Sequence, residues 1–271
     1  MPELPEVESY RRLAEQTALG RPIVEVDAHD PWYLKGGLQA DEIVDALVGR
    51  RLVGARRRGK LLLVDLDRPL DLDRTVDRPA VLGLRFGMSG RLVVDGTASI
   101  DRLLYSSNQP LARYDRFAVR FVDGGELRMR DPRRLGGVEL DPDERRLGPD
   151  AATIGVAALR HALSGSAMPL KARLLDQARV AGVGNLIADE VLWRASLSPL
   201  RPAGGLSDAE VRRLRRHLVT GIAALIEGGG SHTGALGPHR RPGGRCPRDG
   251  ADLIRSEVGG RTTWWCRRHQ H

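Results

Sequence analysis

Lysine is nearly missing from this chain. Of its 43 lysines and arginines only three are lysines, Lys35, Lys60 and Lys171, although the formal charge is +8 and the isoelectric point about 10.2. A GC-rich, arginine-favouring codon usage accounts for most of that bias and leaves open why three positions resisted it. Arginine keeps its charge and forks onto phosphate, whereas lysine is a compact charge that can lose its proton. Aromatic residues are sparse at 4%. There are two cysteines, Cys246 and Cys266, twenty residues apart, which excludes a disulfide scaffold and leaves a metal role open. No apolar run approaches the ~20 residues of a membrane span, and the acidic start is no signal peptide, so an intracellular, cytoplasmic protein is expected.

What is present is ordinary for a globular protein, with 29% charged and 41% hydrophobic residues in 271. That length suits one large domain or two modest ones. A basic protein meets polyanions, yet the chain opens MPELPEVESY, with Glu3, Glu6 and Glu8 at the front. Carboxylates there suggest chemistry at the start and nucleic-acid grip in the rest.

After an opening helix, with Pro5 in its first turn and Glu6 and Glu8 near its positive end, the first half reads as strands. RLVGARRRGKLLLVDLD turns at Gly59. RFAVRFVDGGELRMRD is a hairpin: Phe117, Val119 and Phe121 alternate, Asp123-Gly124-Gly125 turns, and Leu127 and Met129 alternate back. RPLDLDRTVDRP reads as an exposed insertion. From LDPDERRLGPDAA the texture becomes helical. MPLKARLLDQARVAG places Leu170, Leu174, Leu175 and Ala178 on one helical face with Gly182 as a stop, and Asn185 caps the next helix. Ser207 and Glu210 form a capping box before a helix carrying Val211, Leu214, Leu218, Ile222 and Leu225. Its other face holds Arg212, Arg213, Arg215 and Arg216, for each of which a solvated role weighs as much as a phosphate contact. The plan is a β-rich half, a helical half and a metal-like tail.

Removal of Met1 before a small residue would leave Pro2 with a secondary amine at the terminus. An α-amino group titrates near pH 8, against about 10.4 for lysine, so more of it is a free nucleophile at neutral pH. A secondary amine forms an iminium directly with an aldehydic sugar, an electron sink for elimination. Glu3 beside it suits proton transfer and Glu6 suits ordering the site or a water. The alternative, that these residues merely start a helix, covers Pro5, Glu6 and Glu8 but leaves Pro2 and Glu3 unexplained.

PELPEVE at the N-terminus resembles the formamidopyrimidine-DNA glycosylase/endonuclease VIII family of base-excision repair enzymes. RRGK (57–60), GMSG (87–90), DPRRLG (131–136), LLDQARVAGVGNLIADEVLWRASLSP (174–199) and GGRTTWWCRRHQ (259–270) follow in the family's order. The resemblance implies an α+β multidomain fold: an N-terminal antiparallel β-sandwich with flanking helices (1–140), a helix–two-turn–helix domain (141–237) and a zinc-finger-like β-hairpin (238–271). It implies Pro2 as nucleophile at the sugar C1′, Glu3 as its acid/base partner, Glu6 in support and Lys60 as phosphate contact and proton donor. Lys171, Gly184, Asn185, Arg134 and Arg261 would bind DNA, and Met88, Arg133 and Leu135 would form the wedge that replaces an extruded nucleotide. Lys35 matches no family position.

Three departures follow from the same resemblance. Leu135 stands where the family wedge has phenylalanine, and Arg85 stands near its histidine before GMSG. The family's C-x2-C-x16-C-x2-C becomes Cys246, Asp249, Cys266 and His269 at unchanged spacing, a donor set for structural zinc, with His239 as a substitute for Asp249. A metal-free finger folded on Trp264 and Trp265 is the alternative. The stretch EGGGSHTGALGPHRRPGGR is short and glycine-rich where members gripping oxidised guanine carry a lesion cap, which makes 8-oxoguanine a poor expected substrate. The implied protein is a monomeric glycosylase and abasic-site lyase acting on duplex DNA with damaged bases or abasic sites, with no redox or nucleotide cofactor and no membrane. Its rivals are a non-catalytic binder of damaged or branched DNA and a glycosylase for bulky or crosslinked bases.

Overall fold

The computed structural model describes residues 2–68, 80–100, 103, 107 and 109–271; most of the insertion expected at 68–79 lies outside them. The chain divides into two compact units, one of residues 1–2 and 6–144 and one of residues 3–5 and 145–271. No helix of the described residues is long and apolar enough to cross a membrane.

The first unit is built from α1 (Leu4–Thr17), β1 (Ile23–Asp27), α2 (Ala40–Leu47), β2 (Leu52–Arg58), β3 (Leu61–Leu66), β4 (Val81–Arg85), β5 (Arg91–Val94), β6 (Thr97–Ala98), β7 (Asp115–Phe121), β8 (Glu126–Arg130) and β9 (Gly137–Leu140). They form two antiparallel sheets of order β1-β7-β8-β5-β6 and β2-β3-β4-β9. Period-two alternation decides which side is buried: Phe117 pairs Met129, Val119 pairs Leu127, and all four face the core. Leu62, Val64, Leu82 and Leu84 of the second sheet join the same core, as do Val7, Tyr10, Leu13 and Ala14 of α1. Pro5 and Glu6 occupy the first turn of α1 as expected. Glu8 lies a turn further on, where Arg11, Arg12 and Arg57 engage it. The turn at Gly59 joins β2 to β3 with φ 61°, a left-handed conformation that glycine takes without penalty.

The second unit holds α3 (Val156–Leu163), α4 (Leu170–Leu175), α5 (Asn185–Arg194), α6 (Asp208–Glu227), β10 (Ile254–Val258) and β11 (Arg261–Trp265). Ser207 and Glu210 make the expected capping box on α6, whose Val211, Leu214, Leu218, Ile222 and Leu225 are buried. The long helix expected over 168–182 is not formed. α4 stops at Leu175 because Asp176 turns its carboxylate back onto the Ala178 amide at 3.0 Å. The Gln177 side chain then takes the Gly182 amide and donates to the carbonyls of Leu175 and Val183. Ala178 is therefore exposed, and Gly182, at φ 107°, belongs to a turn rather than a helix end.

α5 is the post on which this unit hangs. Its Asp189, buried, receives the Lys171 ammonium at 2.7 Å, the Arg240 guanidinium at 2.9 Å and the Trp264 amide at 3.1 Å. Its Glu190 accepts the Ala235 and Leu236 amides and pairs with Arg194. One two-residue step on a helix thus fixes α4, the 231–240 segment and the C-terminal hairpin. Both members of the Lys171–Asp189 pair have no exposed side-chain surface, so losing one partner strands a charge. Asp189→Ala is expected to cost about 3–5 kcal/mol in urea unfolding. Adding Lys171→Met should restore part of that loss, because no stranded ammonium remains.

Candidate active site and nucleic-acid interface

Pro2 is buried, and Glu3 behind it is wholly buried. The Glu3 carboxylate sits on the start of α5: Oε1 accepts the Leu186 amide at 2.8 Å and Oε2 the Ile187 amide at 3.1 Å. These are two of the N–H groups a helix leaves unpaired at its start, and the helix dipole favours a negative charge there. The expected cap, Asn185, is instead the first helical residue; Gly184 holds the cap position without a side-chain bond. The side-chain oxygen of Asn185 is buried without a hydrogen-bond partner among the described residues. Gly184 has no room for more than hydrogen, since a Cβ there would lie 2.1 Å from Glu3 Cδ. The glycine that the motif suggested for phosphate therefore admits a carboxylate of the chain itself.

Glu6 is buried on α1, where its charge helps burial push the Tyr10 hydroxyl far above the usual phenol range. Tyr10 donates to the Gly90 carbonyl at 3.3 Å and packs on Phe86, ring centres 4.5 Å apart. α1 is thereby fastened to the GMSG turn. Lys60, half-buried, follows Gly59 between β2 and β3.

The two wedge motifs meet through Asp131, a buried carboxylate the sequence reading passed over. It accepts the Ser89 hydroxyl, the Arg133 amide at 3.1 Å and the Gly136 amide at 2.7 Å. A Cβ on Gly87 would fall 2.3 Å from the Leu135 carbonyl carbon, so the GMSG turn lies directly against the DPRRLG loop. Met88 is half-buried, Arg133 is exposed and Leu135 is 50% exposed. Arg134, at φ 54°, forks onto the buried Asp30 at 2.5 and 2.8 Å while its side chain stays partly exposed. Burial works against the Asp30 charge, but Arg134, aided by Arg116, holds its carboxyl below the usual range. Arg85, beside GMSG, is paired with Glu139.

The Lys171 ammonium is enclosed by Asp189, Thr262 O at 3.2 Å and Thr263 Oγ1 at 2.7 Å, and burial lowers its pKa against the pull of Asp189. In this structure Lys171 joins α4 and α5 to the hairpin. Arg261 opens β11 opposite Val258, exposed, after the Gly259–Gly260 turn. On α6, Arg213 and Arg215 are engaged by the carbonyls of Ala195 and Ile154.

Cys246, Asp249, Cys266 and His269 each offer a ligand atom, and these atoms lie within 4.8 Å of one another; His239 is not among them. Individual spacings are 3.1 Å for His269 Nδ1 to Asp249 Oδ2, 3.4 Å for Cys266 Sγ to that oxygen and 3.7 Å for Cys246 Sγ to His269 Nδ1. A tetrahedron with zinc–ligand bonds of about 2.0–2.3 Å has edges of roughly 3.3–3.8 Å, so the donors fit such a group. Around them Trp193 Nε1 donates to Cys246 Sγ, and His269 Nε2 lies 3.4 Å from the Trp193 carbonyl, as an outer shell would. The Ala251 amide, then His269 and the cysteines, hold Asp249 well below the usual carboxylate range, while burial pushes the Cys266 thiol up to about 11.

With this geometry in place, comparison with known proteins is direct. The formamidopyrimidine-DNA glycosylase N-terminal domain profile matches residues 1–138 and the formamidopyrimidine-DNA glycosylase H2TH domain profile matches 147–235. The chain belongs to the formamidopyrimidine-DNA glycosylase family. It is similar to the formamidopyrimidine-DNA glycosylase of Paracoccus denitrificans, 34% identical over 98% of both chains. It is also similar to that of Arabidopsis thaliana, 32% identical over 84% of this chain and 58% of the plant protein. The Lactococcus lactis Fpg in complex with abasic-site DNA superposes with a TM-score of 0.81 at 26% identity, covering both chains entirely.

The fit at Gly184 gives a direct test. Gly184→Ala should expel the Glu3 carboxylate from the α5 amides. The lost cap is expected to cost about 1–2 kcal/mol in thermal unfolding, with faster hydrogen exchange at Leu186 and Ile187. Unchanged exchange at both amides would contradict the assignment.

Proposed function

We propose that this member of the family excises damaged bases from duplex DNA and cuts the strand, with Pro2 as the attacking residue. In this reading Met1 is removed and the Pro2 nitrogen attacks C1′ of the damaged nucleotide. The C1′–base bond breaks, the base leaves with a proton, and the sugar ring opens to an iminium. That cation draws electrons from C2′–H, whose loss expels the 3′ phosphate, and then from C4′–H, whose loss expels the 5′ phosphate. Glu3 moves the proton that opens the ring; each of its oxygens keeps a second lone pair beyond the helix amide it accepts. Lys60 steadies a phosphate and supplies a proton, and Glu6 supports the site. The observation that carries the reading is the Glu3 carboxylate seated on α5, which gives a buried acid a fixed place one peptide bond from Pro2.

DNA is held, on this proposal, by Arg133, Asn185, Arg261 and the Met88–Leu135 wedge. Binding then falls steeply with salt and is largely indifferent to sequence. Lys171 and Arg134 act through Asp189 and Asp30, placing the hairpin and the wedge loop. The 231–239 segment, drawn onto Glu190 through the Ala235 and Leu236 amides, supports a preference for ring-opened purines, oxidised pyrimidines or abasic sites over 8-oxoguanine.

Two measurements test this. Pro2→Gly should lose abasic-strand cleavage and damaged-base release while duplex affinity stays within a few-fold of wild type. Glu3→Gln should lower base release by about 10²–10⁴-fold, the usual worth of a placed proton donor. A Pro2→Gly protein that cleaves at the wild-type rate would leave the attacking group elsewhere.

The four donors at the finger fit zinc, which when bound would lock the two knuckles of the hairpin as a structural ion. Zinc must displace the proton held by Cys266, so affinity should fall as pH is lowered. One equivalent of zinc per chain, reduced by Asp249→Ala and raised in affinity by Asp249→Cys, is the expected result. Protein prepared without chelator that carries no zinc would contradict it.

A further inference from the structure

Four tryptophans occur in the chain. Trp193, Trp264 and Trp265 are 8%, 8% and 6% exposed, but Trp32 is 68% exposed. A single apolar side chain at a surface is unremarkable by itself; the mounting of this one is not. Trp32 lies in a short 3-10 turn, Pro31–Tyr33, started by a proline and pinned by the fully buried Tyr33. Asp30, just before it, is forked by Arg134 of the wedge loop. Just after it, the Lys35 amide donates to Val138 O at 2.9 Å, and the Lys35 stem fills the space beside Gly137, where a Cβ would lie 2.5 Å away. A Cβ on Gly136 would likewise meet the Tyr33 hydroxyl at 2.5 Å. The 30–35 strap and the 133–138 loop are thus one packed body.

The Lys35 ammonium donates to the Trp32 carbonyl at 2.5 Å and stands 5.4 Å from the centre of the Trp32 ring. An exposed indole with a cation over one face offers the two chemistries that single-stranded nucleic-acid sites use, a ring for a base and a positive charge for its phosphate. The wedge's own apolar tip, Leu135, fills space but has no π-face to stack on. We propose that Trp32 is a second stacking surface of the DNA site, taking a nucleobase left unpaired beside the lesion, with Lys35 meeting the adjoining phosphate. This assignment rests on the DNA-glycosylase reading above and accounts for the one lysine that no motif claimed.

All four tryptophans emit, so the Trp32 signal is the part of any quenching that Trp32→Phe removes. The probe is a duplex with a tetrahydrofuran abasic analogue, which binds without being cut. Wild-type protein should be quenched on titration; Trp32→Phe should keep its affinity and lose the quenching. Trp32→Ala should bind roughly 5- to 100-fold more weakly, the range of one base–aromatic stack, with a smaller loss on undamaged duplex. Wild type that binds without quenching, or a Trp32→Ala protein of full affinity, overturns the proposal and leaves the enzymatic reading intact. Self-association abolished by Trp32→Ala would assign the indole to a second copy of the chain and overturn it too. Failure of wild type itself to bind the abasic duplex sinks the DNA reading and this proposal together.

Discussion

A carboxylate resting on the first free amides of a helix is the contact on which the proposed chemistry of this protein depends. Glu3 accepts from Leu186 and Ile187, some 183 residues away along the chain. The contact solves two problems with one group. It satisfies donors that α5 would otherwise leave unpaired in a buried setting, where each lost bond is costly. It also holds an ionisable side chain in one orientation, which acid–base work needs and a mobile chain terminus lacks. Gly184 is the condition for it, because any side chain at that position would occupy the space of the carboxylate.

The same helix carries its influence to its other end. Asp189 and Glu190 gather Lys171, Arg240, the Trp264 amide and the 235–236 amides. Trp193 then touches the sulfur of Cys246. Ten residues therefore place an N-terminal acid, a loop and a metal-type finger. Nothing in that arrangement relies on a long helix before α5, and α4 ends after six residues.

Legibility from sequence followed the range of the interactions. The β7–β8 hairpin, the Gly59 turn and the Ser207–Glu210 box are local, set by alternation or by residues three apart, and all were readable. The order of motifs gave the family. What escaped was decided by distant partners or by competing side chains. Asp176 and Gln177 interrupt a perfectly periodic helical pattern through their own hydrogen bonds. Asn185 looked like a cap because Asn before an apolar run usually is one, yet Glu3 had already taken the amides. Lys171 looked like a phosphate contact because a rare lysine in a basic protein invites that reading; its burial against Asp189 has no local signature. Asp131 sits inside DPRRLG and Asp30 in a stretch that no motif covers, and a buried aspartate cannot be told from a surface one until the loop it closes is known.

Whether the terminal amine is the group that bonds to DNA decides the account more directly than any rate. Borohydride reduction of the protein on an abasic duplex, followed by digestion and mass spectrometry, locates the reduced sugar on one peptide. The account predicts a sugar carried by the α-nitrogen of a peptide that begins at Pro2. A sugar carried by Lys60, Lys35 or Lys171, or on a peptide still headed by Met1, would contradict it.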